Sequence, residues 1–306
     1  MPEHPDSLSQ GARARYYVGN LMLRGLIGAT LAVPYRWRVP AMGWLVSRVV
    51  APLAGLRRRV RDNLALVCPE MPEAEVNRLC RAVPDNAGRT LIELYSGAEF
   101  LRRAHAAPIT GPGLAALQAA RAEGRPVILM TGHFGNYDVA RAGLIHRGHA
   151  MGALYRRMAN PFFNEHYVRT ISGIGTPMFE QGRRGMIEMV RHLKGGGIIA
   201  IVGDLHAHGG RALDFFGKPA VTSVVPAELA LKHGAEMIPV YAVRKPDGLN
   251  FEIERHAPIV HSDAETMTQA INDGLEELVR RHMDQWFWIH RRWKPWFDVG
   301  LQPDQD

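Results

Sequence analysis

The sequence predicts an α/β fold, with a mostly parallel central sheet flanked by helices and a helical N-terminal subdomain ahead of it. Three observations carry this. Val127-Ile128-Leu129-Met130 and the runs at 151–154, 198–202 and 237–243 are compact and apolar, without polar alternation, as expected of strands covered on both faces. Helical stretches lie between them, around 139–147, 160–172, 184–194 and 224–233, and strands alternating with helices imply parallel pairing. Before about residue 105 the spacing is helical only.

Taken in order, residues 1–12 read as a loose terminus. From about 13 to 105 prolines 34, 40, 52, 69 and 72 punctuate helices, and 73–82 and 86–101 place apolar residues three and four apart. After Gly111-Pro112-Gly113 the rhythm changes, and a short helix at 114–123 leads into the first buried strand. Residues 251–254 then look like an edge strand and 264–282 like a long closing helix. Two regions result: 1–105, basic and helical, and 106–306, the α/β core.

With 306 residues, 46% apolar and 22% charged, the chain can bury a substantial core and is not of disordered composition. Its 31 glycines and 20 prolines follow no triplet period. Cys68 and Cys80 are too few for a disulfide scaffold or a four-thiolate zinc site, which fits a reducing cytosolic setting. The net charge of +7 is concentrated: residues 1–61 hold ten arginines against Glu3 and Asp6, and the remainder carries 27 basic and 28 acidic side chains. Arginines mixed with Leu21-Met22-Leu23, Leu26-Ile27 and Trp44-Leu45-Val46 suggest a surface that meets an anionic membrane.

The longest charge-free run there, 25–35, has 11 residues, whereas a span needs about 20. A helix over 16–35 would carry Arg24 near mid-membrane at a cost of about 2.5–3.5 kcal/mol. Monotopic attachment is therefore favoured over a single N-terminal anchor, and a basic amphipathic hairpin packed on the core is the plainer alternative. Nucleic acid is not expected as a partner, because the basic residues alternate with aliphatic runs instead of forming a solvated stripe.

Reactive groups in such sheets gather where strands end and helices begin. The first buried strand runs into Thr131-Gly132-His133-Phe134-Gly135-Asn136-Tyr137-Asp138. Asp138 at the helix start can fold back to the His133 imidazole, fixing its tautomer and leaving the other ring nitrogen to take a proton from a hydroxyl. A structural hydrogen bond is the competing role for the pair. With no Ser or Cys in the motif, the proton is expected to come from a bound substrate alcohol and not from the enzyme.

This stretch resembles the histidine-four-residues-acid motif of glycerolipid acyltransferases, in the form found in the bacterial lipid A biosynthesis (lauroyl/myristoyl) acyltransferase family. Asn63–Pro69, Tyr155–Pro161, Gly203-Asp204, Leu213–Thr222, Ala230–Pro239 and Gln285–Lys294 resemble further family segments in the same order. The resemblance implies transfer of a fatty acyl group from an acyl-carrier-protein thioester to a hydroxyl of a phosphorylated glycolipid, a lipid A precursor or another membrane glycolipid such as an acylated mannoside. It places the reaction at the cytoplasmic face of the bacterial inner membrane, with His133 as general base and Asp138 as its partner. No metal, nucleotide or flavin is implied, since the thiol leaving group already activates the acyl chain. Of the 37 basic residues 32 are Arg, whose guanidinium binds phosphate through two parallel hydrogen bonds.

Other positions carry two roles each. Arg156 either holds phosphate or an oxyanion, or makes a surface salt bridge. Asp204 closes a strand on the same edge as His133, near the site or capping a loop. Asn136 orients the acceptor or caps the next helix. Arg183 and Arg184 meet phosphate or form a solvated face, while Phe215, Phe216, Trp286, Phe287 and Trp288 line an acyl tunnel or fill core. The family commonly has Trp-Glu where this chain has Tyr137-Asp138, and no paired histidines where it has His206 and His208. Asp204, His206, His208 and Asp214 leave a zinc hydrolase as the rival class.

Overall fold

A computed structural model describes residues 8–294. Six helices come first: α1 (Gln10–Leu31), α2 (Tyr35–Leu45), α3 (Ala51–Leu53), α4 (Leu56–Val67), α5 (Glu73–Tyr95) and α6 (Ala98–Ala106), with a π-helical turn, Val46–Val50, between α2 and α3. The α/β part follows as β1 (Ile109–Thr110), α7 (Gly113–Ala122), β2 (Val127–Thr131), α8 (Tyr137–His146), β3 (Met151–Tyr155), α9 (Pro161–Ser172), β4 (Met178–Glu180) and α10 (Arg183–Lys194). It continues through β5 (Ile198–Val202), β6 (Arg211–Phe215), β7 (Lys218–Thr222), α11 (Val225–His233), β8 (Glu236–Arg244), β9 (Phe251–Arg255) and α12 (Ala264–Arg281).

The central sheet has the order β1-β9-β8-β2-β5-β3-β4. From β8 to β4 every pairing is parallel, and β9 runs antiparallel to β8. All five residues of β2 are buried, which is why its sequence shows no alternation. Apolar clusters lie on both faces of the sheet, one joining Val127 and Leu129 to Tyr35, Val39, Ile92 and Phe100 of the N-terminal helices, another joining Ile128 and Met130 to Met189, Ala227 and Met267. The sheet therefore holds the C-terminal ends of β2, β5, β3 and β4 in one row.

Several local expectations change. The helix at the N-terminus begins at Gln10, inside the stretch read as loose, where the Ser9 hydroxyl accepts from the Ala12 N–H; residues 1–7 lie outside the described part. The stretches 73–82 and 86–101 are one helix through Pro84, broken instead after Tyr95 at Ser96-Gly97. Proline removes one N–H bond from a helix, and packing outweighs that loss: Val83 and Pro84 are buried, and Gly88 lets Met42 and Val46 approach so closely that a Cβ there would sit 2.7 Å from the Met42 carbonyl. The strand at 251–255 is not outermost, since two-residue β1 pairs beyond it. The short β4 and the antiparallel β6–β7 hairpin carried no strand signal in the sequence.

Among the described residues no single helix is long and apolar enough to cross a membrane; the bent pair Tyr35–Leu53 and Leu56–Val67, at 83° to one another, reaches that length and composition only together. Tyr17, Val18, Leu21, Met22 and Leu26 of α1, and Trp37, Trp44 and Leu53 beyond it, are exposed.

Candidate active site

Strand β2 ends at Thr131, and the chain turns through Gly132 and His133 before α8 begins. Two glycines make the turn possible. A Cβ on Gly132 would lie 3.1 Å from an Asp204 carboxylate oxygen, and Gly135, at φ +53°, brings its Cα so close to β8 that a Cβ would fall 1.9 Å from the Ala242 carbonyl. Gly135 N–H donates to the Gln285 carbonyl at 2.9 Å, and Phe134 bridges Trp286. The turn is thus clamped between β8 and the segment after α12.

The imidazole of His133 is bonded to Asp204, which follows β5, the neighbour of β2. Nδ1 lies 2.7 Å from Asp204 Oδ1, and the His133 backbone N–H donates to Oδ2 at 2.8 Å. The Trp286 indole N–H also donates to Oδ2, at 2.8 Å. Burial works against ionisation of Asp204, but its contact with His133 and these three donors outweigh it and hold the carboxyl below the usual range. An ionised carboxylate on Nδ1 places the ring proton there and leaves Nε2 as the acceptor. The His133 side chain remains 26% exposed, so the ring is reachable, while Tyr137 and Phe287 stand beside it with ring centroids 5.4 and 5.9 Å away.

Asp138 is placed differently from the expectation. Its Oδ1 accepts from Arg141 Nε at 3.1 Å, one helical turn on, and Arg141 also donates to the carbonyls of Ile171 and Gly175. Geometry explains this: in the first turn of α8 the side chain at 138 shares a face with residue 141. The carboxylate that orients His133 is therefore that of Asp204. Asn136 takes the capping role, its Oδ1 accepting from the Asp138 N–H at 3.2 Å, and its Nδ2 donates to Glu93 at 2.9 Å. It is buried, which removes it from direct contact with an acceptor.

Arg156 is exposed just after β3, and Arg183 opens α10 after β4. At about 4.8 Å per strand these lie two and three strands from β2, roughly 10 and 14 Å along the same edge. Arg183, Arg184 and Arg191 border a cavity of about 430 Å³ with Ile187 and Glu188. Phe215, Phe216, Trp286 and Trp288 are buried together with Trp293 in one aromatic cluster, so of the five aromatics only Phe287 stands beside the imidazole. The rival ligand set does not assemble: among the described residues no three His, Cys, Asp or Glu side chains converge as metal ligands. Asp204 is committed to His133 and Trp286, and Asp214 accepts from Gly217 N–H in the hairpin turn.

Two supports escaped the sequence. Glu93 on α5, fully buried, is bridged by Arg244 at the end of β8, whose Nη2 donates to Oε2 at 2.8 Å; Arg244 also donates to Asn86 and Thr90. Thr90 in turn donates to the Gly135 carbonyl at 2.9 Å. Trp286 was visible only as an aromatic. Nothing in spacing marks a glutamate and an arginine 151 positions apart as a pair.

A half-open imidazole held by a buried carboxylate, at the C-terminal edge of a parallel sheet, can take a proton from a bound hydroxyl. The chain belongs to the bacterial lipid A biosynthesis acyltransferase family, whose family model matches residues 9–295, and it is an acyltransferase. It is 24% identical to a phosphatidylinositol mannoside acyltransferase of Mycobacterium tuberculosis over 274 residues, 83% of this chain and 87% of that protein. It is 25% identical to the lipid A biosynthesis lauroyltransferase of Escherichia coli K12 over 244 residues, 77% and 78% of the two chains. A lipid A biosynthesis acyltransferase of Haemophilus influenzae matches at 24% over 271 residues, 84% and 81% of the two.

Proposed function

We propose that the protein transfers a fatty acyl group from acyl-carrier-protein to a hydroxyl of a phosphorylated membrane glycolipid, with His133 as general base. His133 Nε2 takes the hydroxyl proton; the oxygen attacks the thioester carbonyl, a C–O bond forms and the C–S bond breaks. The imidazolium then returns its proton to the leaving thiolate, so no other reactant is consumed. The observation that carries this is the 2.7 Å contact of His133 Nδ1 with Asp204, which sets the tautomer and stabilises the imidazolium. Asp138 is a positioning residue, holding the first turn of α8 through Arg141.

Arg156 and Arg183 continue the row from His133 and Asp204 toward β4, which suits an acceptor whose phosphate lies one sugar away from the reacting hydroxyl. A lipid A precursor of the Kdo-lipid A type is the acceptor proposed first. An inositol mannoside is the second, because the mannoside relative aligns over 87% of its length. Residues 1–105 serve as the membrane-associating region and 106–306 as the catalytic one, at the cytoplasmic face of the inner membrane. The exposed apolar side chains of α1 and α2 beside a strongly basic segment support this. Incubating the protein with labelled acyl-carrier-protein and a panel of both glycolipid types, and weighing the products, tests it: one glycolipid should gain one O-acyl chain. Free fatty acid as the only product would exclude transfer.

A further inference from the structure

A second cavity, of about 740 Å³, opens between α2, α5, the turn after β8 and residues 282–285. His133, Asp204, Tyr137 and Phe287 do not line it. Its wall carries six cations, Arg48, Arg78, Arg81, Arg89, Arg244 and Lys245, against Asp85 and Asp284. Arg89 is spent on Asp85, Arg78 on Glu75, and Arg244 on Glu93. Among the described residues no carboxylate pairs with Arg48, Arg81 or Lys245, so the cavity holds a surplus of positive charge.

The rim continues into apolar surface. Trp44 lines the cavity and is 59% exposed, and Trp37, two turns back on α2, is 62% exposed; Val49, Val50 and Leu53, which follow Arg48 in the chain, are exposed too. Aromatic side chains flanking a basic recess suit the level of lipid headgroups, where an amphipathic ring sits at the boundary and arginine meets phosphate.

We infer that this cavity is a headgroup site for an anionic phospholipid of the surrounding membrane, separate from the acceptor at His133. The phosphate is held by Arg48, Arg81 and Lys245, and the acyl chains stay in the bilayer beside Trp37 and Trp44. Because Asn86, Arg244 and Gln285 line the cavity and Asn86 and Gln285 also contact the Gly135 turn, an occupied site is linked to the backbone that carries His133. The inference rests on the membrane association proposed above and not on the chemistry of His133.

The test is flotation of the full chain with vesicles of phosphatidylcholine alone and with phosphatidylglycerol added, at fixed ionic strength. Each basic side chain near an anionic surface is worth about fivefold in binding, less as salt rises. The intact protein should prefer the anionic vesicles by about tenfold or more. Arg48→Ala/Arg81→Ala/Lys245→Ala should cut that preference about tenfold or more while binding neutral vesicles as before. A control removing the same charge outside residues 1–105, Arg121→Ala/Arg211→Ala/Lys232→Ala, all exposed, should keep it. Should the triple variant fail to fold, the single exposed changes Arg48→Ala and Arg81→Ala each lower the preference severalfold. An equal preference in the cavity variants, or equal loss in the control, overturns the site; no binding of the intact protein to either vesicle overturns the membrane association itself.

Discussion

At the scale of single residues, the central feature is which carboxylate meets the imidazole. In Asp204→Asn one amide N–H must face the donors that now converge on the carboxylate, and the ring turns to its other tautomer. Its kcat should fall about 10²–10⁴-fold with the fold intact. Asp138→Asn keeps a partner for Arg141 but removes the charge, so it should lower the melting temperature and change transfer by less than about tenfold; measured side by side, a larger kinetic loss in Asp138→Asn would reverse the assignment. His290 supplies a pH effect. Burial lowers its pKa to about 4, and its Nε2 accepts from the His206 N–H at 3.0 Å, a bond that protonation destroys. The unfolded chain binds that proton near pH 6.5, so stability should drop as pH falls from about 6.5 to 4, by up to about 2 kcal/mol after allowance for partial exposure. In urea titrations His290→Asn should flatten this slope. His133 was legible because glycines flank it at a strand end. Asp204 was legible only as sharing an edge, because five-residue spacing favours the nearer acid and only the β2–β5 register shows that the farther one reaches the ring.

At the scale of elements, α5 is tied to the catalytic turn by charge. Glu93 and Arg244 are both buried, and their pairing aligns Asn136, Thr90 and the Gly135 carbonyl. Removing one partner strands the other in the interior, at a cost of about 3–5 kcal/mol, whereas replacing both with apolar groups of similar size costs less. Glu93→Gln should therefore destabilise the protein more than Glu93→Leu/Arg244→Met by thermal unfolding, and both should slow transfer because the turn loses its support. Equal activity in all three proteins would show that α5 plays no part in positioning. The strands β2, β5 and β8 were readable because burial on both faces leaves an unbroken apolar run. The hairpin β6–β7 was not, as three of its first five residues are exposed, and its pairing comes from the turn at Phe216-Gly217 rather than from an apolar pattern.

At the scale of the whole molecule, the row of strand ends from β2 to β4 is the direction proposed for the acceptor, and apolar side chains of α1, with Trp37 and Trp44 of α2, remain uncovered. Composition had located both the basic and the apolar parts of that N-terminal region; how they divide between a cavity and an open face depends on the packing of α2 against α5, which no local spacing encodes. The most direct measurement is the rate at which the intact chain and His133→Ala acylate a glycolipid held in vesicles, with acyl-carrier-protein as donor. A loss of two to four orders of magnitude in the variant, with an unchanged melting temperature, is the expected result. Transfer at close to the unmodified rate would mean that some other group removes the proton.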